Sequence, residues 1–281
     1  MTNPERSPED PVESKLLPTR HEPGFVEAIG GTFYGLAKTA AELYSVFVRT
    51  LYYCWFGRRE PGAVIAQMYE IGNRSLFFIT VVMGFLGMIL VYQAGVQTLR
   101  VLPDLSMLGA TFLELLVRDL AASIGSLMLA TRVGAGIAAE LGSMVVTEQT
   151  DALRMCSADP IDYLIVPRFI ACVVMGTVVL LASSFVAYFA GMFVAWSLLG
   201  VGVPTFINFQ MVTWGDCVLG LIKCFTYGGA IAIVSGHRGL SAFGGSEGVG
   251  QATTDAVVGS LFTIIVLSFV LSSVGYFVFP P

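Results

Sequence analysis

The chain has 281 residues, of which 55% are hydrophobic and only 12% charged, with a formal net charge of −5 and a mean hydropathy of +0.77. An average soluble domain is about a quarter charged, so the composition excludes an ordinary soluble globule, and the absence of any lysine- or arginine-rich block excludes a nucleic-acid footprint. The apolar residues form long uncharged runs rather than an alternation, so the spanning elements are helices, each satisfying its own backbone groups over about 20 residues of hydrocarbon.

Residues 1–23 carry five prolines and many charges but no apolar stretch of the kind a signal peptide needs. They read as a disordered cytoplasmic tail. From 24 to 57, Phe25, Phe33, Leu36, Leu43, Phe47 and Leu51 recur at near-helical intervals among Glu27, Lys38, Glu42 and Arg49. This pattern predicts an amphipathic helix lying in the membrane interface. The Gly57-Arg58-Arg59-Glu60-Pro61 cluster ends it, and residues 58–281 form the transmembrane domain.

About five spans are expected there, making the fold an all-α polytopic membrane protein. The first is Leu76 to Thr98, followed by a loop with Arg100, Pro103 and Asp104. The second, about Leu105 to Ile137, exceeds one crossing and predicts a tilted helix projecting past the bilayer. The polar stretch from Glu140 to Asp162 lies outside the hydrocarbon. The third span is about Tyr163 to Leu199, the fourth Val212 to Ser235, and the fifth Val257 to Phe279, after a glycine-rich loop. With the amino terminus inside, the inner segments hold Arg58, Arg59, Arg74, Arg132, Arg154, Arg168 and Arg238, and the outer ones only Arg100. That imbalance puts the amino terminus in the cytoplasm and the carboxyl end outside.

No phosphate-binding loop, zinc-protease motif or nucleophile elbow is present, so neither ATP hydrolysis nor another catalytic function is expected of this chain. The five cysteines show neither C-x-x-C spacing nor a nearby histidine cluster, so no disulfide framework, catalytic residue or metal site is indicated. Cys172, Cys217 and Cys224 lie in apolar runs, where a thiol acts as a small hydrophobe.

Charge inside the spans is the informative signal, because an ionised side chain at mid-bilayer costs at least about 2.5–3.5 kcal/mol. Glu114 and Arg118 are four apart and can pair, whereas Asp119 points about 100° away. Asp216 and Lys223 are two helical turns apart, share a face, and can line a common cavity.

The stretch Arg132 to Met155, reading RVGAGIAAELGSMVVTEQTDALRM, is followed by Asp159-Pro160 and Pro167-Arg168. With LVRDL at Leu116 to Leu120, LIK at Leu221 to Lys223 and GVGQATTDAVV at Gly248 to Val258, it resembles the MlaE-type (YrbE) permeases of bacterial lipid-import systems and their chloroplast counterparts. The likeness runs from about Tyr69 to Phe279. It implies a homodimeric permease in the bacterial inner membrane, working with an ABC ATPase subunit that binds the ATP and with a periplasmic MCE-domain protein. Such a system would move phospholipid between the two membranes and maintain outer-membrane lipid asymmetry. The resemblance further implies a cytoplasmic coupling helix at about 138–159, docking on the ATPase through Glu140, Glu148, Gln149, Asp151 and Arg154. It also implies a lipid path flanked by Arg118, Asp119, Asp216 and Lys223, with Glu114 nearby. Asp119 stands where the family commonly has glutamate, and Gln67 where some relatives carry arginine. An ion-coupled secondary transporter using Asp216, Glu114 and Asp119, or a membrane scaffold, are the alternatives. The first is disfavoured by the lack of internal repeats, the second by the intramembrane charges.

Overall fold

The computed structural model describes residues 25–57, 61–101 and 105–278, which are helical throughout their ordered elements and contain no strand. The amino-terminal tail, the Arg58-Arg59-Glu60 break and the Pro103-Asp104 turn expected above lie outside the described residues. The chain divides into two units, one ending at Glu42 and the other beginning at Leu43 and holding every site discussed below.

Helix α1 runs Phe25–Phe56 and α2 runs Pro61–Val101. The expected second span is a helical rod in pieces: α3 (Leu108–Leu115), a π-helical turn (Leu116–Leu120), α4 (Ala121–Leu129), a second π turn (Ala130–Gly134) and α5 (Ala135–Val146). Residues 138–146 therefore continue this rod, and the separate short helix α6 occupies only Gln149–Met155. A third π turn (Ile161–Ile165) leads into α7 (Val166–Leu199), which starts beside Pro167 and stops at Gly200, left-handed at φ 68°. Then come α8 (Val203–Phe206), α9 (Trp214–Leu240) and α10 (Gly245–Val278). Among the described residues four helices, Gly62–Arg100, Ile161–Leu199, Trp214–Leu240 and Gly245–Val278, are long and apolar enough to cross a membrane, against about five expected. The expected second span is not among them, because its rod is broken into short pieces that carry Glu114, Arg118, Asp119 and Arg132.

In lipid, helices associate by close packing rather than by escape from water, so small residues mark the seams. At Gly87 on α2, an added Cβ would meet the Ala187 carbonyl oxygen of α7 at 2.3 Å, so only glycine allows this approach. α9 is the central helix: 61% of its most apolar window is buried, against 11% for α10. The outward face of α10 carries exposed Phe262, Ile265 and Phe269.

Candidate functional site

Four of the charged residues expected in the spans meet where the first π turn faces α9. A π turn closes i→i+5 bonds and holds one residue more than an α-turn, a feature common at functional sites. Within it, Arg118 and Asp119 both reach α9. The Arg118 Nη1 donates to Asp216 Oδ1 at 3.2 Å, and Lys223 Nζ donates to Asp119 Oδ1 at 2.8 Å. Arg118 thus pairs across helices and not with Glu114, because the π turn departs from the i,i+4 register. Glu114 takes no hydrogen bond or ion pair among the described residues.

Each charge is further anchored. Asp216 is the third residue of α9 and closes a capping box: its Oδ2 accepts from the Thr213 amide at 3.0 Å, and the Thr213 side chain accepts from the Asp216 amide. The same carboxylate therefore starts the helix and neutralises Arg118. Lys223, 1% exposed, also donates to the Arg118 carbonyl oxygen at 3.1 Å and to Ser272 Oγ at 2.8 Å. All three ammonium protons are used. Ser123, one turn after Asp119, donates to Asp119 Oδ1 at 3.0 Å and lies 3.0 Å from Ser268 Oγ. Two cations and two anions thus form a neutral network joining the π turn, α9 and α10.

Beside it opens an apolar cavity of about 530 Å³ between the Leu113–Ala122 rod, α7 and α9. Its walls include Val117, Phe185, Tyr188, Phe189, Phe209, Leu221 and Cys224. Tyr188 donates to the Phe206 carbonyl oxygen at 3.3 Å, and its ring packs against the buried Phe206 ring with centroids 5.5 Å apart and planes tilted by 41°. The cavity is lined by neighbours of the charged residues, Val117, Cys217 and Leu221, and not by Asp216 or Lys223 themselves, which turn toward the π turn. Gly220 makes the approach possible, since a Cβ there would lie 2.3 Å from the Val117 carbonyl oxygen.

At the other end of the rod, α5 and α7 flank the short α6. Glu148 precedes α6 with φ 59°, a left-handed conformation costly for a residue with a Cβ. Glu148, Gln149, Asp151 and Arg154 are exposed, with Asp151 and Arg154 paired at 3.2 Å, and Met155 is 89% exposed. Thr150 is buried and holds the other face against the bundle. Glu140 is not part of this surface. It sits on α5, where Oε1 accepts from Nη2 of buried Arg168 at 2.6 Å. Asp159 is held from two sides, accepting from the Tyr53 hydroxyl at 3.0 Å and from the Ile161 amide at 3.0 Å. Donation to a carboxylate stabilises the protonated phenol, so the Tyr53 pKa is raised from 10.0.

A model of the family described as "Permease MlaE" matches residues 64–274, which hold both the charged network and α6. The chain belongs to the MlaE permease family. It is 38% identical to a probable ABC transporter permease protein of Synechocystis, over 77% of this chain and 82% of that one. A probable ABC transporter permease protein of Rickettsia conorii is 33% identical over 76% and 83%. The chloroplastic protein TRIGALACTOSYLDIACYLGLYCEROL 1 of Arabidopsis thaliana is 35% identical over 74% of this chain and 60% of its own length.

In this MlaE-family permease, Arg118, Asp119, Asp216 and Lys223 come together, while Glu114 stands apart from them and Glu140 from the exposed α6 surface. Sequence reasoning overlooked Ser123, Ser268 and Ser272, which complete the network. Their signal was available: Ser123 is four residues after Asp119, and Ser268 and Ser272 are one turn apart inside an apolar run. The roles of Tyr53 and Asp159 carried no such signal, because their contact links residues 106 apart.

Proposed function

We propose that this chain is the membrane subunit of an ABC-type transporter that moves phospholipid between membranes and so maintains outer-membrane lipid asymmetry. The supporting observation is the juxtaposition of a fixed, neutral charge network with a 530 Å³ apolar cavity inside the spans. A lipid needs an apolar wall for its tails and a few placed polar groups for its head. The names of the relatives as ABC permeases support a partner ATPase, which binds and hydrolyses the ATP. The exposed α6 surface, with Glu148, Gln149, Asp151 and Arg154, is the docking element for that subunit, and Glu140 supports it from α5. The poorly buried α10 suits a second copy of the chain, giving a homodimer, and a periplasmic MCE-domain protein receives or delivers the lipid. The membrane is the bacterial inner membrane, with the amino terminus cytoplasmic and the carboxyl end periplasmic.

The test is reconstitution of the full complex in proteoliposomes with a fluorescent phospholipid. ATP-dependent transfer that Asp119→Asn reduces at unchanged protein content supports the reading. ATP-independent or absent lipid movement, with ion flux instead, sinks it. Reporter fusions after Pro281 and in the Ser241–Gly250 loop check the orientation; a cytoplasmic carboxyl end is incompatible with it.

A further inference from the structure

We propose that the groove between α2 and the Arg132–Glu140 stretch of the rod, about four helical turns along the rod from Arg118, binds the phosphate group of an anionic phospholipid headgroup through Arg132. The groove encloses about 460 Å³. One wall is Gln67, Glu70 and Arg74, spaced three and four apart on α2; the other is Arg132, Gly136 and Glu140, spaced four apart on the facing rod. Of its charges, Arg74 is committed to Glu70 and Glu140 to Arg168. Arg132 alone takes no hydrogen bond or ion pair among the described residues, and it is exposed at the groove. The groove therefore carries one uncompensated positive charge on a planar fork suited to bidentate phosphate binding.

Depth supports a lipid source for that phosphate. Arg132 follows the start of α3 by 24 residues, about 36 Å at 1.5 Å per residue. A hydrocarbon core is about 30 Å thick, so if the loop before α3 marks one face, Arg132 stands at headgroup level on the other. Directly after Arg74 and Ser75, α2 turns Leu76, Phe77 and Phe78 outward, where acyl chains would lie. The groove is also open: a Cβ added at Gly136 would meet nothing within 4 Å. This inference rests on the membrane-spanning architecture, not on lipid being the transported cargo.

The experiment labels purified full-length protein in dodecyl maltoside with the arginine reagent phenylglyoxal and follows Arg132 by peptide mass spectrometry, with exposed Arg154 as internal reference. The additives are phosphatidylglycerol, an uncharged galactolipid, and inorganic phosphate. Phosphatidylglycerol is expected to slow Arg132 labelling about tenfold relative to Arg154, the scale of one charge-assisted contact. Protection by phosphatidylglycerol alone identifies the lipid headgroup, and protection by inorganic phosphate as well identifies phosphate from either source. Protection by neither, or equal protection by the galactolipid, overturns the proposal. Gly136→Val fills the groove while keeping Arg132, and persistence of full protection in that variant overturns it too.

Discussion

The guanidinium of Arg168 bridges α5 and α7: Nη2 lies 2.6 Å from Glu140 Oε1, while Nη1 donates to the Leu164 carbonyl oxygen at 2.7 Å. Both helices flank α6, so this contact ties the exposed segment to the spans. Arg168 is 5% exposed in its side chain and Glu140 39%. Removing one partner of a fully buried pair costs about 3–5 kcal/mol, and the half-open position of Glu140 lowers the expectation. Arg168→Gln should destabilise the protein by about 2 kcal/mol, read as a lower melting temperature in detergent. Arg168→Lys should not restore it, because an ammonium cannot hold both acceptors in the fork geometry. An unchanged melting temperature in Arg168→Gln contradicts the tie.

Lys223 is bound on three sides, so its loss acts first on the fold. Lys223→Ala leaves Asp119 without its cation, the Arg118 carbonyl without a donor, and a void at a fully buried position. A loss of about 3 kcal/mol is expected, since Asp119 keeps some access to its surroundings. Bound phospholipid measured on the same preparation separates two roles. Reduced lipid with modest destabilisation supports a direct part in holding lipid; normal lipid with a large loss of stability assigns Lys223 to the scaffold alone.

Glu148 combines a backbone that favours glycine with a charge exposed at the start of α6. Glu148→Gly should raise stability slightly, by about 1 kcal/mol, whereas Glu148→Lys should cut capture of the partner ATPase while insertion into the membrane is retained. If capture and stimulated ATP hydrolysis both survive the charge reversal, α6 is not the docking surface.

The Tyr53–Asp159 contact has a pH signature. The folded phenol pKa lies above 10.0, so the contact is fully present below that value and is lost as pH rises through the raised pKa. An absorbance titration of tyrosinate, taken as wild type minus Tyr53→Phe, should therefore show a midpoint above 10.0. A midpoint at or below the ordinary value means the hydroxyl does not donate to Asp159.

The long apolar runs made four membrane-length helices legible, since length in hydrocarbon leaves few alternatives to a helix, whereas the expected second span, Leu105 to Ile137, is a rod in short pieces. The charged residues were equally visible, but their partners were not. Glu114 and Arg118 satisfy the local spacing rule, yet Arg118 goes to Asp216, because the π turn that re-aims it depends on packing against α9 and leaves no compositional trace. Glu140 stood out as a polar residue near α6, but its pairing with Arg168 is nonlocal and so escaped periodicity. The α6 segment stood out in the sequence by its charge, although the helix is shorter than the polar stretch around it.

The four charges that meet at the π turn add up to zero. A membrane potential does work only on net charge, about 2.3 kcal/mol per elementary charge per 100 mV. Arg118, Asp119, Asp216 and Lys223, moving together as a block along the membrane normal, would therefore feel almost no pull from the electric field. A rearrangement that keeps both pairs intact is electrically silent, whereas one that separates Lys223 from Asp119 is voltage-dependent.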